Sequence, residues 1–133
     1  MDPANRMQIV EKLYQAFGEA DVSLLAGNVT DNFQIRIPQM DHLPLESSYE
    51  GVAGFQQLLD DRKGRVEYDT FQTTDTIVHG DVVVVVGYTE GRAVVEGASF
   101  KHGWVHVFRF TGDRISSFKE YIDSSSVCSA FCP

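Results

Sequence analysis

Two short stretches of this sequence hold the side chains best suited to moving protons: "FKHGWVHVFRF", Phe100 to Phe110, and "KEYID", Lys119 to Asp123. The first sets His102 and His106 four residues apart with Trp104 between them, and the second brings Glu120. Backbone geometry decides what the two histidines can do. On a helix, residues four apart are neighbours about 6 Å apart and could grip one ion. On a strand the same spacing covers about 13 Å at ~3.3 Å per residue. Alternate positions put Phe100, His102, Trp104, His106, Phe108 and Phe110 on one side, against Lys101, Gly103, Val105, Val107 and Arg109 on the other. That is a period of two in residues that favour strands. The expectation is a strand with no shared metal site, whose aromatic side is either pocket wall or packed core.

A histidine near a carboxylate in an aromatic pocket suits proton transfer near neutrality, because the carboxylate fixes the imidazole tautomer and supports its charge. His106 and Glu120 can share a face only if the turn between their strands allows it. A three-residue loop Thr111-Gly112-Asp113 would pair Phe110 with Arg114, set His106 opposite Phe118 and Trp104 opposite Glu120, and leave His106 and Glu120 diagonal neighbours. A two-residue Gly112-Asp113 turn of type II′ would put them on opposite faces. Both turns fit the residues. His102, near a strand end, reads as pocket rim.

The elements that would position these groups are legible from pattern. "MDPANRMQIVEKLYQAFGEAD" predicts a helix with Asp2 as N-cap, Pro3 at the first position, Val10, Leu13, Tyr14 and Phe17 as one apolar stripe, and an exit near Gly18. A short helix capped by Asp21 follows. "NFQIRIP" predicts a strand that stops at Pro38, with Arg36 on its solvent or dimer side. "QMDHLPLESSYEG" reads as a long loop, with Asp41 and His42 as candidate lid contacts. "VAGFQQLLDDRKG" predicts a helix ended by Gly64. Strands then follow from Arg65 to Asp123, with turns at His79-Gly80-Asp81 and near Gly91. Helices first and antiparallel strands afterwards indicate an α+β domain.

With 133 residues the chain fits one domain, expected over residues 1–126 with a tail at 127–133. The net charge of -8, from 19 acidic and 11 basic residues, argues against nucleic acid or an anionic membrane as partners. The longest apolar run, Val82 to Val86, is too short to span a bilayer, and a soluble, cytoplasmic protein is expected. Cys128 and Cys132 are read as free thiols on a frayed end.

Together "LYQAFGEADVSLLAGNVTDNFQIRIP", "YEGVAGFQQLL", "GDVVVVVGY" and "WVHVFRFTGDRISSFKEYID" resemble the SnoaL-like branch of the superfamily that includes nuclear transport factor 2, ketosteroid isomerase and limonene epoxide hydrolase. The resemblance implies a cone-shaped α+β fold: a curved, mixed but mainly antiparallel sheet wrapped over N-terminal helices around an internal pocket, commonly as a homodimer. It also implies which chemistry is missing. The isomerase's base position corresponds to Ile37, its oxyanion aspartate to His106, and its helix tyrosine falls one position from Tyr14. The hydrolase's Arg-x-Asp pair is absent from "VGYTEG". An acid/base aspartate of the cyclase-type relatives corresponds to Glu120, which favours the register that puts His106 and Glu120 on one face.

The expected function is a cofactor-independent acid/base enzyme of isomerase, cyclase or dehydratase type, acting on a small, mostly apolar, carbonyl-bearing molecule. His106 and Glu120 are the expected catalytic residues, Tyr14, Trp104, Phe108, Phe118 and His102 the pocket, with no metal. The alternative is a non-catalytic ligand-binding or dimerisation module of the same fold.

Overall fold

The computed structural model describes residues 2–39 and 45–132; Asp41 and His42 lie outside them. Helix α1 (Pro3–Glu19) begins where the sequence places it, with Asp2 accepting from the Ala4 N–H and Pro3 at the first position. It runs past Gly18, and its C-cap is Ala20, a non-glycine residue held at φ 54°. A single 3₁₀ turn, Val22–Leu25, is capped by Asp21 and leads into β1 (Val29–Arg36). The segment expected to be wholly loop contains a three-residue strand, β2 (Ser48–Glu50), paired antiparallel with β1. Helix α2 (Gly51–Arg62) buries Phe55, Leu58 and Leu59 and leaves Val52 partly exposed.

Four long strands complete the sheet: β3 (Val66–His79), β4 (Val82–Ala93), β5 (Ser99–Thr111) and β6 (Arg114–Ile122). The six strands lie in the order β2-β1-β6-β5-β4-β3, with β1 parallel to β6 and the other neighbours antiparallel. In β4 and β5 burial alternates residue by residue, so one face is dry and the other half-exposed. The dry face meets α1 and α2. Ile9, Val10 and Leu13 join Phe33, Ile35, Phe55, Leu58, Val83, Val85, Phe108 and Ile115 in one core.

The frayed tail is corrected. Residues Ser125–Phe131 form a helix, α3, with Val127, Ala130 and Phe131 buried against Val66, Ala93 and Phe100 in a second core. Each is apolar, and three apolar side chains within five residues give a short helix one buried face. Cys128 is half-buried and Cys132 exposed, both as free thiols.

Candidate functional site

The β5–β6 hairpin places the two groups expected to matter most. Its turn is the two-residue one: Thr111 pairs with Arg114, and Gly112 takes φ 62° at the first turn position, as a type II′ turn requires. Left alone, that register would set His106 and Glu120 on opposite faces. A bulge prevents it. Phe110 pairs with Ile115 but Arg109 pairs with Ser117, so Ser116 is the extra residue and every later position of β6 changes face. His106 therefore stands directly opposite Glu120, and Trp104 opposite Ile122. The expected three-residue loop is corrected; the shared face is reached by another route.

His106 is 3% exposed and bonded at both ring nitrogens. Nε2 lies 2.7 Å from Glu120 Oε2, and Nδ1 lies 2.8 Å from the Tyr14 hydroxyl. An ionised carboxylate can only accept, so with a neutral ring beside it Nε2 is the nitrogen that carries the proton and donates to Glu120. Nδ1 then accepts from the Tyr14 O–H. The ring is fixed in plane by Trp104, stacked at 4.0 Å between centroids, and by Phe118, edge-on at 4.8 Å. Burial, reinforced by the negative charge of Glu120, raises the Tyr14 pKa well above the ordinary phenol value. Glu120 keeps 23% of its side chain exposed, and among the described residues its Oε1 has no protein partner.

These groups close one side of a cavity of about 90 Å³, room for several waters, lined mostly by aromatic and aliphatic side chains. Tyr14, His102, Trp104, His106, Phe118 and Glu120 all line it. Phe108 does not: it is fully buried behind the wall, packed on Tyr14 and Phe118, and its expected pocket role is corrected to core. His102 is half-buried, against Phe100 at 5.9 Å.

Two glycines make the wall possible. Gly87 pairs with Trp104 and Gly91 with Phe100, and a Cβ at either would overlap the aromatic ring lying across it. The Trp104 indole N–H reaches past Gly87 to Thr89 Oγ1 at 3.0 Å, which satisfies both buried groups.

Several lining residues were not among the expected ones: Arg62, Tyr68, Phe71, Thr89, Val127 and Phe131. Tyr68 and Phe71 escape an alternation rule because they are three apart. A bulge at Asp69 brings both onto the inner face, Tyr68 opposite Gly91 and Phe71 opposite Thr89. Phe71 stacks on Trp104 at 4.8 Å. The sequence signal that could have found them is the facing Gly87-x-Thr89-x-Gly91 series, small inner positions that call for large partners across the ladder.

Helices packed over a six-stranded mixed sheet make this an α+β cone of the NTF2-like fold. The sequence profile of the SnoaL-like domain matches residues 10–118, and the chain belongs to that family. Its fold is shared with an NTF2-like protein from Burkholderia xenovorans LB400, 24% identical over 99% of both chains with a TM-score of 0.87. It is shared too with an NTF2-like protein of unknown function from Burkholderia pseudomallei K96243, 23% identical over 100% of both chains at TM-score 0.84. TerC, co-crystallised with polyporic acid, is 17% identical over 96% of this chain and 98% of its own, at TM-score 0.80. At these identities the likeness establishes the fold alone. No match to a protein of curated function was found. Among the described residues no helix is long and apolar enough to cross a membrane.

Proposed function

We propose that this protein is a cofactor-independent acid/base enzyme of the isomerase, cyclase or dehydratase type, acting on a small, mostly apolar, carbonyl-bearing molecule. The carrying observation is the chain Tyr14–His106–Glu120, hydrogen-bonded end to end inside an apolar cavity with one carboxylate oxygen left over. Glu120 is the base: its unpartnered oxygen takes a proton from the carbon next to the carbonyl, the C–H electrons moving onto the carbonyl oxygen, and returns that proton elsewhere. His106 orients Glu120 by donating from Nε2, and the Tyr14 hydroxyl, donating to Nδ1, holds the ring in that orientation while Glu120 carries the proton. The aromatic walls exclude water and hold a flat substrate.

The test is deuterium exchange into β-tetralone, a simple apolar ketone, followed by NMR in heavy water. The wild-type protein is expected to accelerate exchange next to the carbonyl. Glu120→Gln is expected to lose about 10² to 10⁴ of that acceleration with little change in melting temperature, and His106→Asn to lose less. Exchange no faster than buffer, or unaffected by Glu120→Gln, would favour the ligand-binding alternative. That alternative is supported by the family resemblance, under which Ile37 falls at the position of the isomerase-type base.

The proposed assembly is a homodimer through the sheet's outer face. Val84 pairs with Val107, and Val86 with Val105, giving adjacent half-exposed valines flanked by Tyr121, 48% exposed. A strip of this kind on a sheet suits contact with a second copy.

A further inference from the structure

Arg62 is the one Lys or Arg side chain among the described residues lining the cavity of a chain whose net charge is -8. It sits in the last turn of α2, with its guanidinium carbon over the Phe17 ring at 4.0 Å and 5.7 Å from the centre of the Tyr68 ring. Its only hydrogen bond among the described residues runs from one terminal nitrogen, Nη2, to the Phe17 carbonyl at 2.6 Å. That contact serves the C-terminal turn of α1, where a cation suits the exposed carbonyls, and it uses one nitrogen of three. Nε is buried with no partner, and among the described residues no carboxylate lies within ion-pair distance. A half-buried guanidinium with an unsatisfied edge is costly unless an acceptor meets it.

Tyr68 lines the same cavity beside Arg62. Its ring leaves an outer edge in solvent, but its hydroxyl end is desolvated, which raises its pKa; the charge of Glu120 adds to the rise and that of Arg62 opposes it. The phenol therefore lies within the field of both charges, and among the described residues its hydroxyl makes no hydrogen bond.

We infer that Arg62 and Tyr68 form an anion-binding subsite opposite Glu120, and that the cavity takes flat, apolar molecules carrying an ionised carboxylate or phenolate at one end. Arginine suits this role because its planar fork meets two oxygens of a carboxylate at once, and Tyr68 adds a neutral donor. The carbonyl end then faces Glu120. The inference rests on the cavity being the ligand site proposed above, but it does not require that Glu120 perform chemistry.

Calorimetric titration with cinnamate and with its uncharged isostere cinnamamide tests it. The wild-type protein is expected to bind the acid about tenfold or more tightly than the amide, the range of a charge-assisted hydrogen bond to a partly buried group. Arg62→Met, which keeps the length of the side chain over Phe17, is expected to bring the two affinities together. Arg62→Lys is expected to restore part of the preference, and Tyr68→Phe to reduce it a few-fold. A merely structural Arg62 would weaken both compounds alike and leave their ratio unchanged. Glu120→Gln is expected to keep or increase the preference while proton exchange is lost, so the subsite and the chemistry fail separately. Equal affinity of the wild-type protein for acid and amide, binding of neither, or a ratio unmoved by Arg62→Met would overturn the inference.

Discussion

At the scale of single residues, the cluster depends on His106 having two different neighbours. A buried imidazole with only one partner would leave a ring nitrogen unsatisfied, at a cost of about 1 to 3 kcal/mol. Tyr14 and Glu120 remove that cost and set the tautomer together. Tyr14→Phe is expected to leave Nδ1 without a donor, lowering stability by about that amount. Chemical denaturation of the pure variant checks it, and no change in midpoint would mean that the Tyr14–His106 bond is absent in solution. The tyrosines also set an alkaline limit. Burial and the bond to Asp61 raise the Tyr49 pKa to about 12, and Tyr14 and Tyr68 rise in the same direction. A folded-state pKa above the unfolded value of about 10 means that the folded chain holds its phenol protons longer. That stabilisation is fully present below about pH 10 and is lost as pH rises through the folded values. Denaturation midpoints are therefore expected to fall from about pH 10 upward, and Tyr49→Phe to make the fall shallower. A midpoint flat to pH 12 would contradict this.

At the scale of elements, the site depends on places where strands depart from regularity. The inner face of β5 was legible because it alternates without interruption from Phe100 to Phe110, and its residues lie where that alternation puts them. The register of its partner was not legible. Gly112 and Asp113 announce the turn, but nothing in "RISSFKEYID" marks Ser116 as the bulge that turns Glu120 inward. Bulges at Asp69 and Thr74 hid the inner face of β3 in the same way. Helix α3 was missed because its sequence, rich in serine, resembles a frayed end until Phe100 and Val66 supply a surface for Val127 and Phe131 to cover. The flat wall supports a sharp prediction. Gly87→Ala would drive a methyl into the Trp104 ring and the Gln72 carbonyl, and such overpacking costs about 1 to 3 kcal/mol. A lowered melting temperature with altered Trp104 fluorescence is expected, and a silent substitution would mean that the indole does not lie across β4.

At the scale of the whole molecule, the order of elements and the α+β class followed from pattern alone, because two long amphipathic helices precede a run of strands that must then pair with one another. The six-stranded order with a parallel pair, β1 beside β6, is the part that local pattern does not reveal: it joins segments some eighty residues apart and brings Ile35 alongside Phe118 in the hairpin that carries Glu120. Sedimentation at micromolar concentration tests the proposed assembly. A dimer is expected, and Val105→Asp with Val107→Asp is expected to give a folded monomer; a monomeric wild-type protein would contradict it.

The relay inside the cavity is the claim on which the functional reading stands, and histidine-nitrogen NMR reads it directly. At neutral pH His106 is expected to carry its proton on Nε2 and accept a hydrogen bond at Nδ1, and Tyr14→Phe to shift the Nδ1 signal while leaving Nε2 protonated. A His106 protonated on Nδ1, or a ring exchanging between tautomers as a free imidazole does, would contradict it.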